Sequence, residues 1–200
     1  MTPLFSTAYL PPIAYVAAMA ACPEALIEVK ETFPKQTYRN RTEIMTAGGV
    51  RTLSVPVIRN NHSRTEEVAI DYKERWNVIH LRTIAAAYSA SPYYLYYKDD
   101  LENILTQHYE RLVELNDALL QWILRTLKSD CRILHTQDFA KDYPEDLRDT
   151  FSPKHPYPTD SHRPYYQVFS DRLPFTPNLS FLDLLMNLGP ESKDYLKSIT

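Results

Sequence analysis

The stretch that decides the fold is residues 4–30, LFSTAYLPPIAYVAAMAACPEALIEVK. It begins with an apolar segment, Leu4–Ala8, which predicts a first strand. Pro11 and Pro12 end that strand, and Pro12 suits the first turn of a helix because its missing N–H has no partner there anyway. Apolar residues then recur at helical spacing, and the apolar run Ala25–Lys30 predicts a second strand. A strand, a helix and a strand in this order predict a parallel βαβ unit.

Outward from this unit, strand and helix patterns continue along the chain. Gly48-Gly49 predicts a hairpin turn between Ile44-Met45 and Arg51–Ile58. Apolar periodicity and turn residues predict two further strands, Val68–Tyr72 and Cys131–His135, and helices over Trp76–Tyr88, Asp100–Leu127 and Phe181–Leu188. We therefore predict an α/β fold in which helices flank a mixed sheet with a parallel βαβ opening.

Proline and tyrosine dominate the segment 142–178. Its aromatic side chains need a surface to pack on, so we expect an irregular but ordered arm across the domain. Asn178 or Ser180 is a candidate N-cap for the helix that follows, and Gly189 with Pro190 would end it. We predict one domain over residues 1–200, with a C-terminal helical segment at 179–200.

Composition excludes several classes of function. A net charge of -3 is unlike the basic excess of a nucleic-acid-binding protein, so no nucleic-acid partner is expected. Only three glycines are present, Gly48, Gly49 and Gly189, and they cannot supply the fixed spacing of a dinucleotide-binding fingerprint or a P-loop. His155 and His162 lack the spacing of metal ligands, so no metal and no cofactor are predicted.

The cysteines and the N-terminal residues indicate the cellular compartment of the protein. Cys22 and Cys131 lack CxxC spacing and are expected to be reduced, consistent with a cytoplasmic protein. The start of the chain has no positively charged region and is interrupted by prolines, which favours part of the fold over a signal peptide. No apolar run reaches the length of a membrane span.

One seven-residue segment carries an unusual density of hydrogen-bond donors: Lys35-Gln36-Thr37-Tyr38-Arg39-Asn40-Arg41. Arg39 and Arg41 alternate, so in an extended segment both guanidinium groups would point to one side and grip a phosphate or carboxylate. The alternative is a network of ion pairs with Glu28, Glu31 or Glu43, or simple exposure to solvent.

These motifs together resemble the WbqC-like protein family, in a short form typical of Bacteroidetes. The matching pieces are Tyr9-Leu10-Pro11-Pro12, Tyr15, Glu28, Lys35–Arg41, Val55-Pro56-Val57, Trp76, His80, Tyr88–Tyr93, Leu115-Asn116, Asn178-Leu179-Ser180, Asp183-Leu184-Leu185 and Gly189-Pro190. Longer members carry a His-Gln-Pro motif where this chain has Ser6-Thr7-Ala8 before Tyr9. Chemistry that depends on that histidine is therefore either lost here or carried by another residue.

The resemblance implies a site around the motif residues. His80 lies one helical turn after Trp76 and is a candidate general base, oriented by Glu28 or Asp71. The alternatives are a histidine at the edge of the core that bonds a carbonyl group, and a Glu28 that pairs with an arginine. The substrate-binding residues would be Lys35, Gln36, Tyr38, Arg39, Asn40, Arg41, Tyr9 and Trp76.

Function is implied mainly by the family's association with gene clusters for surface polysaccharide. We expect a transferase that adds an acyl or aminoacyl group to an activated sugar, and the small-molecule substrate to be a nucleotide-activated sugar. The alternative is a non-catalytic binding or scaffold protein. In that case the aromatic segment from Tyr157 to Phe175 would bind a protein partner or a second copy in a homodimer.

Overall fold

The structure is a computed structural model, and it describes residues 2–154 and 157–200. The strands are β1 (Leu4–Ser6), β2 (Glu24–Glu28), β3 (Arg41–Thr46), β4 (Gly49–Ser54), β5 (Val57–Ile58), β6 (Ala69–Ile70) and β7 (Arg132–His135). The helices are α1 (Ile13–Ala20), α2 (Trp76–Tyr88), α3 (Tyr94–Thr106), α4 (Leu112–Thr126), α5 (Phe181–Leu188) and α6 (Ser192–Ile199). The described helices include none long and apolar enough to cross a membrane.

The opening βαβ unit is confirmed. Strands β1, β2 and β7 form a parallel three-stranded sheet in the order β1-β2-β7, with Leu4 opposite Leu26 and Ala25 opposite Ile133. Helix α1 begins directly after Pro12 and connects β1 to β2. Phe5 is fully buried, as a strand covered on both faces requires. All three strands therefore end at one edge of the sheet, called the carboxyl edge below.

The antiparallel strands lie outside this sheet, so the prediction of one mixed sheet is wrong. The predicted hairpin is present as β3–β4, with Ala47 and Gly48 between the strands, and β5 pairs with β6 separately. Pro56 separates β4 from β5 because it has no N–H to donate to a ladder. On the other side of β3, the Ser180 N–H donates to the Glu43 carbonyl, so a loop takes the place of a further strand.

The long helix predicted over Asp100–Leu127 is also wrong, since the chain breaks between α3 and α4. The Tyr72 hydroxyl accepts from the Tyr109 N–H and donates to the Tyr109 carbonyl, at 3.1 and 3.2 Å. In a continuous helix, the N–H and carbonyl groups of Tyr109 would instead bond to other backbone groups of the same helix. The Glu114 carboxylate accepts from the Arg111 N–H and caps the start of α4. The apolar periodicity continues across the break, which hid it in the sequence.

The predicted last helix is confirmed as α5. Ser180 caps it, with its hydroxyl accepting from the Leu182 N–H. Asn178 instead accepts from the Ala14 N–H at 2.8 Å and so fixes the start of α1. Gly189, at a φ of 52°, ends the helix.

The described residues of 142–178 contain no helix and no strand longer than a single bridge. Their aromatic side chains pack on the domain, as Phe151 does against Phe5 and Tyr15, with ring centroids 6.2 and 5.5 Å apart. The Tyr165 hydroxyl reaches the buried carboxylate of Asp183 at 2.6 Å. The segment therefore attaches to the core both through rings and through a charged hydrogen bond.

Candidate functional site at the carboxyl edge

A fully buried carboxylate lies at the end of β2, at the carboxyl edge. Glu28 Oε1 accepts from the Thr136 hydroxyl at 2.9 Å and from the N–H groups of Lys30 and Glu31 at 2.6 and 3.2 Å. Its Oε2 lies 3.4 Å from Nη1 of Arg148. Buried charges are stable only when they are paired and hydrogen-bonded in this way. Ligand sites in α/β folds commonly occur beyond this edge of a sheet.

Arg148 connects Glu28 to a second carboxylate. Its Nε and Nη2 contact the Asp146 carboxylate, with Nη2 2.5 Å from Oδ2 and Nε 2.9 Å from Oδ1. The hydrogen bond from Arg148 lowers the pKa of Asp146. The guanidinium group also lies 5.3 Å from the centre of the Phe139 ring, within the range of a cation–π contact. Arg148 therefore has a fixed position at this edge.

A second ion pair, between Arg39 and Glu31, lies beside the first. Arg39 is 3% exposed, and its Nε donates to Glu31 Oε1 at 2.7 Å. Burial raises the pKa of Glu31, although the Arg39 charge acts in the opposite direction. The Arg39 guanidinium therefore binds a carboxylate of the protein, which matches the ion-pair alternative considered from the sequence.

These charged groups border a cavity of about 590 Å³, called the carboxyl-edge cavity. That volume lies within the range of about 300–1,000 Å³ that small-molecule sites occupy. Its lining residues are Lys30, Glu31, Thr32, Arg64, Phe139, Lys141, Asp146, Arg148 and Asp149. Four of these are cations and three are carboxylates, and Phe139 adds an aromatic ring that is 54% exposed. The arrangement suits a ligand with hydroxyl groups, an anionic group and one apolar face.

No residue of the donor-rich segment lines this cavity. The Tyr38 hydroxyl donates to Glu43 at 3.0 Å, and the Asn40 amide donates to the Val55 carbonyl at 2.9 Å. Both side chains therefore support the β3–β4 hairpin. These donors therefore stabilise the hairpin, and the sequence pattern alone could not distinguish this structural role from ligand binding.

The other three predicted binding residues of the segment are placed differently. Lys35 and Gln36 are exposed, and Gln36 has a φ of 58°, in the left-handed region. Arg41 is the first residue of β3, and its buried Nε finds no hydrogen-bond acceptor in the described part of the chain. Arg39 pairs with Glu31, and the shared grip of Arg39 and Arg41 on one ligand stays a prediction.

His80, Tyr9 and Trp76 form a separate cluster inside the domain. His80 is 4% exposed, its Nδ1 lies 2.8 Å from the Tyr9 hydroxyl, and its ring packs against Trp76 at 5.2 Å between centroids. Burial lowers the pKa of His80 to about 4, partly opposed by a hydrogen bond to the Ser54 backbone. The imidazole is therefore neutral at pH 7, and the hydroxyl of Tyr9 hydrogen-bonds one of its nitrogen atoms.

The expected alignment of His80 by Glu28 or Asp71 does not occur among the described residues. Glu28 bonds Thr136, Arg148 and its own backbone turn, as described above. The Asp71 carboxylate accepts from the Lys73 N–H at 2.9 Å. The three predicted catalytic residues thus have three different sets of partners.

Sequence reasoning missed the cavity residues that come from the irregular part of the chain. Phe139, Asp146 and Arg148 follow β7 without periodicity or a motif, and only the folded chain brings them to Glu28. Glu31 was considered only as an ion-pair partner for an arginine. Only a prediction of contacts between residues that are distant in the sequence would have identified them.

The described residues contain no group of three His, Cys, Asp or Glu side chains placed to hold a metal ion. His155 lies outside the described residues, and His162 is buried. Cys22 and Cys131 line a different cavity, of about 500 Å³, at the opposite edge of the sheet. Burial raises the pKa of Cys131 to about 11, so this thiol stays protonated at neutral pH.

Comparisons with known proteins agree with the motifs. The model of the WbqC-like protein family matches residues 7–150. That range contains β2 and β7 of the parallel sheet, the β3–β4 hairpin and every lining residue of the carboxyl-edge cavity, whereas β1 lies just before it. The chain is also similar to the uncharacterised protein Rv1507c of Mycobacterium tuberculosis, with 27% identity over 94% of each chain. No solved structure shows a significant match.

Proposed function

The chain belongs to the WbqC-like protein family, and from that premise we propose that its carboxyl-edge cavity binds a nucleotide-activated amino sugar. The protein would transfer an acyl or aminoacyl group to this sugar, in the cytoplasm, as a step in the synthesis of surface polysaccharide. The association of the family with polysaccharide gene clusters is the reason for proposing a sugar as the substrate. The chemistry of the cavity supports it independently.

The observation that carries the proposal is the mixture of charges at the carboxyl edge. Arg64 and Lys141 line the cavity, and neither makes an ion pair with a described residue. Two cations without partners favour a phosphate group. Glu31 and Asp149 offer acceptors for sugar hydroxyl or amino groups, and the face of Phe139 suits a sugar ring.

Isothermal titration calorimetry with a panel of nucleotide sugars, and with the free nucleotides, tests the binding. We expect Arg64→Ala and Lys141→Ala each to weaken the affinity about tenfold, which corresponds to about 1.4 kcal/mol. Lys35→Ala is the matched control, because Lys35 is an exposed cation of the donor-rich segment that does not line the cavity. If Lys35→Ala weakens binding and the cavity variants do not, the sugar binds at that segment instead.

A second candidate function is binding or scaffolding without catalysis. The observation that favours it is the burial of His80, the predicted base, together with a serine-threonine-alanine sequence where longer members carry His-Gln-Pro. Incubation with an activated sugar and an acyl thioester, followed by mass spectrometry, separates the two functions. Binding without an acylated sugar, together with a dimer by light scattering, would favour the scaffold.

A further inference from the structure

A histidine and a carboxylate form a pair at the end of β7 that the functional prediction did not use. His135 is the last residue of β7, and its Nε2 lies 3.0 Å from Oδ2 of Asp117, which is in helix α4. The two groups come from different regular elements, so the backbone of each holds its position. A base that a carboxylate orients is the arrangement that activates imidazole in many enzymes.

The contact with Asp117 determines which nitrogen of His135 is free. A carboxylate accepts hydrogen bonds, so in the neutral imidazole Nε2 carries the proton and Nδ1 keeps its lone pair. No hydrogen bond from a described residue reaches Nδ1, and 37% of the His135 side chain is exposed to solvent. A substrate can therefore approach Nδ1. His80 differs in both respects, because its Nδ1 is bonded to Tyr9 and its ring is buried.

His135 also lies at the same edge of the sheet as the carboxyl-edge cavity. It is opposite Ile27 in the register of β2 and β7, one residue before Glu28. The next residue, Thr136, bonds Glu28 directly. Lys30, which lines the cavity, is close enough for its charge to influence His135. The pair and the cavity thus occupy neighbouring strand ends.

We propose that His135 is the general base of the acyl transfer and that Asp117 is its positioning residue. This inference rests on the proposed function. The amine nitrogen of the sugar forms a bond to the acyl carbon of an acyl thioester or an aminoacyl ester. The bond between the acyl carbon and its leaving group breaks, and its electron pair goes to the leaving thiolate or alkoxide. The proton of the amine goes to Nδ1 of His135.

The charges around the imidazole suit this role. The hydrogen bond with Asp117 raises the pKa of His135 above its ordinary value, and burial acts in the opposite direction. Glu66, in the turn before β6, raises the pKa further, and Lys30, after β2, lowers it. A raised pKa makes the imidazole a stronger proton acceptor, as a general base requires.

Histidine NMR titration tests the pair without any substrate. We expect the pKa of His135, assigned with His135→Gln, to lie above the ordinary value for histidine. Asp117→Asn keeps the shape of the carboxylate and removes its charge, so it should lower the pKa of His135. An unchanged pKa in Asp117→Asn would overturn the positioning role.

Reactivity toward p-nitrophenyl acetate, an activated acyl ester, tests the base itself. We expect His135→Gln and Asp117→Asn each to reduce the release of p-nitrophenolate several-fold and to flatten its pH profile, while His62→Gln leaves both unchanged. Equal rates in His135→Gln and His62→Gln would overturn the proposal. If His135 reacts with the ester but calorimetry shows no sugar binding, the proposed sugar substrate is wrong. If the sugar binds but His135 does not react, the proposed role of His135 as the base is wrong.

Discussion

Nη1 of Arg148 lies 3.4 Å from Oε2 of Glu28, a carboxylate with no exposure to solvent, across 120 positions of sequence. The contact joins the irregular segment after β7 to the central strand of the parallel sheet. It places one fixed cation in the lining of the carboxyl-edge cavity. Because Glu28 is inaccessible to water, its negative charge needs this cation.

Arg148→Met should lower the free energy of unfolding by about 3 kcal/mol or more, because it leaves Glu28 buried without a cation. Urea denaturation measures the change, and Arg172→Met is the control, since the Arg172–Asp171 pair is largely exposed. The double variant Glu28→Gln/Arg148→Met should recover part of the loss. Equal losses in the double variant and in Arg148→Met would show that packing, not the unpaired charge, dominates.

His80 should make stability depend on pH in the acid range. Its pKa is about 4 in the folded protein, below the value of about 6.5 expected in the unfolded chain. The unfolded chain therefore binds more protons between these values, and stability falls as pH falls from about 6.5 to 4. The full effect is on the order of 3 kcal/mol.

The measurement is the difference in free energy of unfolding between the wild type and His80→Gln across pH 4–8. Taking the difference cancels the contribution of other groups, including His135, whose raised pKa acts with the opposite sign. The difference should shrink toward low pH, whereas His62→Gln should track the wild type throughout. A difference that stays constant across this pH range would mean that burial does not lower the pKa of His80.

The opening of the fold could be predicted because its signals are local. Pro12 comes directly before the start of α1, and Ser180 and Gly189 begin and end α5 through groups of their own residues. The predicted helix over Asp100–Leu127 failed for the opposite reason. Its break depends on the side chain of Tyr72, more than 30 residues away, for which the local pattern contains no information.

The candidate site was only partly predictable because charge pairing is decided by tertiary contacts. The composition of the segment Lys35–Arg41 resembles that of an anion site. In the structure, however, Arg39 donates to Glu31, and Tyr38 and Asn40 donate to groups of the hairpin region. Glu28 was located correctly at the end of a strand. Arg148 was missed because nothing in its neighbourhood along the chain distinguishes it from a solvated arginine.

Gly189→Ala should lower the free energy of unfolding by roughly 2–4 kcal/mol. Gly189 has a φ of 52°, and a Cβ at this position would overlap the ring of Tyr93. Gly48→Ala is the control, because no atom lies closer than 4.0 Å to the position of its Cβ. Thermal unfolding of both variants checks the prediction. Similar midpoints would mean that the Tyr93 ring moves away without cost.

Tyr165→Phe should weaken the attachment of the segment 157–177 to the core. The Tyr165 hydroxyl donates to Asp183 at 2.6 Å, alongside Tyr88 and Gln167, which donate to the same buried carboxylate. Loss of a hydrogen bond to a charged group costs about 2 kcal/mol. The pKa of Asp183, already raised by burial, should rise further because the Tyr165 bond lowers it.

Hydrogen exchange of the amides in 165–177, followed by mass spectrometry, measures this attachment directly. Exchange should accelerate in Tyr165→Phe and stay unchanged in Tyr166→Phe, which removes a hydroxyl from the neighbouring tyrosine, 57% exposed. The Thr176 amide, which donates to Gln167, is the most informative site because it depends on the same cluster. If both variants exchange like the wild type, ring packing rather than the Asp183 hydrogen bonds holds the segment in place.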